Sequence, residues 1–313
     1  MPDATQDPLL HIDETARSSG VPAAVEYHRV YAGDRRRIPR GLLAVVLLLA
    51  GLVGFAQLFL FVASLVETHL LGGEGSAPLQ QAAGTLSLAL LIPYSMLLQR
   101  WLYGLSARSL HSVVGRFRYG LLARSLLVHG PLLLVAVSVS SLLEAGEQVA
   151  WTTADLVAYF VIGMLLTPLA AAGEEYGIRG LMFRVVGGWT RGARSGAVLG
   201  VVVTTVLFSL LHGSLDPYIL TSYLVLFGSM AVITWRTGGL EVAVALHTVY
   251  NVTGLVLATT LHTDVSGALS SRAETAGSIT YLVPSAALVV ITTVIWWTTR
   301  SAGPARTPSS QLC

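Results

Sequence analysis

The chain has 313 residues, of which 53% are hydrophobic and only 12% charged, with a formal net charge of +2. A soluble domain with an ordinary polar surface does not sustain that ratio, so lipid is the solvent for most of the chain, and no nucleic-acid partner is expected. All nineteen basic residues are arginine, and the single cysteine, Cys313, excludes a disulfide framework and argues against a thiol nucleophile in a folded site.

In chain order, residues 1–40 are polar, contain Pro2 and Pro8, and close on the basic run Arg35, Arg36, Arg37 and Arg40. A cleavable secretory signal would begin within a few residues of Met1, so this stretch is expected to be a disordered cytoplasmic tail. Apolar runs long enough to cross the hydrocarbon core as helices then follow at about 41–66, 79–99, 121–143, 156–186, 196–212, 217–235, 239–260 and 279–299. The expected fold is all-α: a polytopic membrane helix bundle of about eight transmembrane helices around a polar intramembrane cavity.

With the N-terminus inside, alternation puts Arg100, Arg108, Arg116, Arg118, Arg184, Arg191, Arg194, Arg236, Arg300 and Arg306 in or beside cytoplasmic segments. Among the loop arginines only Arg272 falls outside, while Glu67, Glu74, Glu144, Glu147, Asp216, Asp264 and Glu274 occupy the opposite side. Both termini are therefore expected in the cytoplasm and the protein in the cell membrane. The loop from Arg100 to Arg124, with Trp101, Leu105, Leu110, Val113, Val114 and Phe117 among its arginines, reads as an amphipathic helix lying on the inner leaflet.

The fourth span departs from the rest. It starts as an ordinary apolar helix and then meets Gly173-Glu174-Glu175-Tyr176-Gly177-Ile178-Arg179-Gly180. If helix continues to residue 186, the glutamates lie about 17 Å from its cytoplasmic end. Ionisable groups at such depth cost several kcal/mol each unless paired or watered, which makes them functional candidates. Glu175 and Arg179 are spaced i,i+4, so the arginine neutralises one carboxylate while Glu174, turned about 100° away, faces a cavity. The fifth helix ends in Phe208-Ser209-Leu210-Leu211-His212, and the seventh holds His247-Thr248-Val249-Tyr250-Asn251. The nominal depths are about 25 Å for His212, 12 Å for His247 and 18 Å for Asn251, so three helices bring polar groups to overlapping levels. Singly, His212 beside Gly213 reads as a helix-end histidine, and His247 with Asn251 as interhelical hydrogen bonding. Two adjacent deep carboxylates have no such packing role. His11, His28, His69, His111, His129 and His262 fall in tails, loops or helix ends and join no constellation.

These residues resemble the membrane-embedded CAAX prenyl endopeptidase type II group, also called the CAAX protease and bacteriocin-processing (CPBP) or abortive-infection family. Its two glutamates followed by arginine match Glu174, Glu175 and Arg179; its Phe-xxx-His matches Phe208 to His212; its His-xxx-Asn matches His247 to Asn251. The position before Arg179 is Ile178, where the family often has an aromatic residue. The resemblance implies that Glu174 and His212 activate a water, that Glu175 and Arg179 assist, and that His247 and Asn251 hold the oxyanion. The resemblance covers about residues 156–260, and the chain as a whole is expected to divide into a tail (1–40), transmembrane helices with a basic interfacial loop (41–150), a catalytic helical core (151–262) and a last helix with a cytoplasmic tail (263–313). The residues themselves support hydrolysis of a membrane-associated peptide or protein by glutamate-activated water. No His-Glu-x-x-His motif occurs, and zinc, if used, has Glu174, His212 and His247 as candidate ligands. Two other classes share the pattern: a non-proteolytic immunity or abortive-infection factor that binds a peptide, and a proton-coupled transporter, against which the lack of inverted repeats counts.

Overall fold

The computed structural model describes residues 20–33, 37–73, 76–144, 148–265 and 273–309. Among them regular structure is helical, with isolated β-bridges and no strand. The helices are α1 (Ile38–Leu70), α2 (Ala77–Tyr103), α3 (Tyr119–Val128), α4 (Gly130–Leu143), α5 (Thr153–Gly187), α6 (Ala193–Leu211), α7 (Pro217–Thr237), α8 (Glu241–Thr260) and α9 (Ile279–Thr299). Seven are long and apolar enough to cross a membrane, and eight spans result when the bent pair α3 and α4 is one crossing. In hydrocarbon a closed helix satisfies every backbone group within one segment, which is why such runs fold this way.

Prolines account for the irregularities. Pro131 lacks a donor and crowds the carbonyl four residues back, and α3 and α4 meet there at 51°. Leu90 interrupts α2 three residues before Pro93. In α5, Ile162–Leu166 widens into a π-helical turn in which the Thr167 N–H bonds the Ile162 carbonyl, one residue beyond the α-helical partner, just ahead of Pro168. The core helix of the bundle is α5, which lies against α2, α6 and α8, while α7 packs between α6 and α9.

Two expectations are corrected. Residues 1–19 lie outside the described residues, but 20–33, expected to belong to a disordered tail, pack onto the bundle with Tyr27, His28 and Val30 fully buried. Their backbone pairs with the chain beyond α9 through Ala24 N–H to the Thr307 carbonyl (3.1 Å) and Thr307 N–H to the Val25 carbonyl (2.8 Å). Glu26 accepts from the Trp235 indole at 2.8 Å, and Arg29 donates to the Gly187 carbonyl at 2.8 Å, capping the end of α5. Aromatic and apolar side chains with no helical period drive this docking, so no periodic signal announces it. The loop after α2 is likewise no amphipathic helix. It holds one short 3₁₀ turn, Ala107–Leu110, and turns Leu105, Leu110 and Val113 into the protein rather than toward lipid.

Candidate active site

The two glutamates stand where α5 passes from α-helix (Thr167–Glu175) into a second π-helical stretch, Tyr176–Met182, closed by the Phe183 N–H bonding the Ile178 carbonyl. Wide turns of this kind re-aim side chains and recur at functional sites. A Cβ on Gly173 would collide with the Leu88 carbonyl, so glycine lets α2 come against α5 one residue before Glu174.

Glu175 is fully buried, and its Oε1 is shared by two partners: the Arg179 guanidinium at 3.1 Å and the His247 Nδ1 at 2.8 Å. The other ring nitrogen of His247, Nε2, lies 3.4 Å from Glu174 Oε2. A single imidazole on α8 thus sits between both carboxylates of α5, placed to share a proton with either. Burial divides the group by role. Glu175, Arg179 and His247 are at most 2% exposed, whereas the Glu174 side chain is 12% exposed and His212 and Asn251 are half-buried. The half-buried members are the ones water and substrate can reach.

Arg179 is held by more than charge. One guanidinium nitrogen donates to the Phe227 carbonyl at 3.2 Å, and the plane lies 5.0 Å from both the Phe208 and Phe227 ring centres. His212, the C-terminal cap of α6, has its Nδ1 2.8 Å from the Phe208 carbonyl. In the neutral ring that bond assigns the proton to Nδ1 and leaves Nε2 the basic nitrogen. Its ring is enclosed by Phe208 at 4.8 Å and by Tyr223 and Phe227 at 4.7 Å each. His212 therefore reaches the charged cluster through the same aromatic faces that hold Arg179. Asn251 stands one turn beyond His247 on α8.

Glu174, Glu175, Arg179 and His247 are thus in direct contact, His212 is joined to them through Phe208 and Phe227, and Asn251 follows by helical repeat. The zinc set is not assembled: among the described residues no three His, Cys, Asp or Glu side chains form a group able to hold a metal ion. Both nitrogens of His247 face carboxylates, and Nδ1 of His212 is taken by a carbonyl. No chemistry is therefore derived through a metal.

Several supporting groups left no signal in the sequence. Phe227 is one apolar residue among many in α7. Glu241, fully buried in the first turn of α8, receives Arg118 at 2.7 Å and 2.9 Å, tying the loop after α2 to the helix that carries His247. Arg184, also fully buried, donates to the Gln99 side chain and the Ser109 carbonyl and stacks 3.9 Å from the Tyr27 ring centre. His111, assigned no role above, bonds the Tyr176 hydroxyl beside Glu175, and burial lowers its proton affinity below that of an exposed histidine.

Residues 153–253 match the family model described as type II CAAX prenyl endopeptidase Rce1-like. The match covers α5 from its first residue, all of α6 and α7 and most of α8, and includes all six candidate residues. No curated protein and no solved structure matches the chain. At the level of that family, the activity is that of a CAAX-type protease in a multi-pass membrane protein. Over residues 153–253, about a third of the chain and on the helices that carry its glutamates and histidines, the protein is similar to the type II CAAX prenyl endopeptidase Rce1-like family.

Proposed function

We propose that the protein is an intramembrane endopeptidase that hydrolyses a peptide bond of a membrane-associated substrate with water activated by Glu174 and His212. The observation that carries this reading is the Glu174–His247–Glu175–Arg179 cluster. A half-buried carboxylate stands beside a fully buried ion pair, with an imidazole at 3.4 Å from the first and 2.8 Å from the second. Glu174 takes a proton from water, and the hydroxide attacks the peptide carbonyl. His212, with Nε2 basic, orients that water by accepting from it, and the proton taken up by Glu174 passes to the leaving amine as the C–N bond breaks, which returns Glu174 to its starting state. Glu175, between Arg179 and His247, fixes the imidazole by its contact to Nδ1 and leaves the Nε2 edge toward Glu174.

Asn251, one turn beyond His247 on α8, is the donor assigned in this reading to the developing oxyanion; such a donor is worth about 2.7 to 4 kcal/mol. His247 joins it when substrate displaces the long contact to Glu174. The inside orientation of both termini, read from the arginine distribution, would put the paired stretches Ala24–Glu26 and Arg306–Pro308 on the cytoplasmic side. The test is terminomics on host membranes carrying wild-type protein or Glu174→Gln. New N-termini that require wild type support the reading, and identical sets of termini contradict it.

A further inference from the structure

Phe227 meets three of the candidate residues from a helix on which none of them lies. Its ring centre is 4.7 Å from the His212 ring and 6.2 Å from the His247 ring, and 5.0 Å from the Arg179 guanidinium. Its carbonyl accepts the Arg179 hydrogen bond at 3.2 Å, and the residue is 1% exposed. The three neighbours arrive from α5, α6 and α8. No other aromatic residue among the described ones is recorded against all three, for Phe208 meets Arg179 and His212 while Tyr223 meets His212.

We propose that Phe227 is a positioning residue of the active site, which holds the His212 imidazole and the Arg179 guanidinium in register with His247 through its ring and its backbone carbonyl. This rests on the proteolytic reading for its consequence in turnover, but not for the geometry itself. The Nδ1 bond to the Phe208 carbonyl fixes one edge of the His212 ring, and the Nε2 edge must still be aimed at a reacting water to act as a base. A flat aromatic face confines it to a few orientations, and the negative face of the ring also attracts the guanidinium. Phe227→Leu keeps the carbonyl and the apolar burial but removes the aromatic ring, so it separates positioning from packing.

The activity-independent readout is the ring-proton NMR spectrum of the full chain in detergent micelles, with labelled histidine and assignment by single His→Gln variants. An imidazole held against an aromatic face carries a ring-current shift. In Phe227→Leu the His212 resonance should move more than any other, His247 should move less, and His69 and His129, distant in sequence, should stay in place. Phe227→Tyr should leave the pattern as in wild type. With a peptide identified by the terminomics comparison, Phe227→Leu should lower kcat by at least about tenfold with KM nearly unchanged, since small misplacements of reacting groups are that costly. Phe160→Leu, at a lipid-facing ring 55% exposed on the same span as the glutamates, should behave as wild type.

Where Phe227→Leu yields no folded protein, Phe227→Met supplies the same two measurements. An unmoved His212 resonance in Phe227→Leu or Phe227→Met overturns the proposal. So does a kcat loss that Phe160→Leu or Phe227→Tyr shares. If wild-type protein cleaves nothing, the proteolytic reading fails, and the spectrum still decides whether Phe227 orients the rings.

Discussion

Removing the Arg179 side chain tests the buried cluster as a source of stability. The guanidinium is fully buried, pairs with Glu175 at 3.1 Å, bonds the Phe227 carbonyl and lies 5.0 Å from the centre of each of two adjoining rings, Phe208 and Phe227. Arg179→Ala leaves a fully buried carboxylate short of one partner, which in comparable buried pairs costs about 3–5 kcal/mol. The two cation–π contacts add about 0.5–2 kcal/mol each. His247, at 2.8 Å from the same carboxylate oxygen, remains and offsets part of the loss, so we expect about 3–4 kcal/mol. The assay is reversible unfolding of the full chain in mixed micelles. Arg179→Met combined with Glu175→Gln removes both charges and should be more stable than Arg179→Ala, because no uncompensated ion is left behind. A stability loss under about 1 kcal/mol for Arg179→Ala, or a double variant less stable than the single one, would refute the reasoning.

Arg118→Ala should destabilise by a similar route, since Glu241 is fully buried and has the Arg118 guanidinium and backbone N–H as its recorded partners, and the loss should vanish in Arg118→Ala with Glu241→Gln. Reporter fusions at residues 147 and 267 should behave as external and fusions at either terminus as cytoplasmic; a cytoplasmic readout at 147 or 267 breaks the eight-crossing topology. His28, outside the spans, is fully buried against Phe183 and Trp235, and burial holds its proton affinity below the ordinary value of 6.5. A group depressed in the folded state is stabilising above its unfolded pKa and loses that contribution as the pH falls, because the unfolded chain binds the proton first. The protection of residues 24–31 against hydrogen exchange, corrected for the intrinsic rate at each pH, should therefore fall from about pH 7.5 to about pH 5, and His28→Phe should abolish the change; equal protection at both values contradicts it.

The bundle and the charged centre of the site were legible because the bilayer makes their signals loud. Twenty-residue apolar runs have few other uses, and Glu174, Glu175 and Arg179 are conspicuous where ionisation is costly. The i,i+4 spacings of Glu175 with Arg179 and Phe208 with His212 gave real contacts, as helix geometry requires. What stayed hidden depends on tertiary position alone. Phe227 differs from its apolar neighbours in α7 only by what lies opposite it. Tyr27 and Tyr31 carry no period by which docking can be seen, and the loop that holds Arg118 shows its partner only once Glu241 is brought near. The spacing of His247 and Asn251 shows that they share a face of α8, but not that the His247 nitrogens lie between the two glutamates. Sequence spacing gives the helical face and not the neighbour across it.

The most direct test of the central claim uses purified full-length protein reconstituted in liposomes, with a substrate identified from host membranes, and compares wild type with Glu174→Gln by mass spectrometry of the products. Cleavage of one peptide bond by wild type, and none by a Glu174→Gln protein of unchanged unfolding midpoint, is the result this account predicts. Cleavage at the wild-type rate by Glu174→Gln would contradict it.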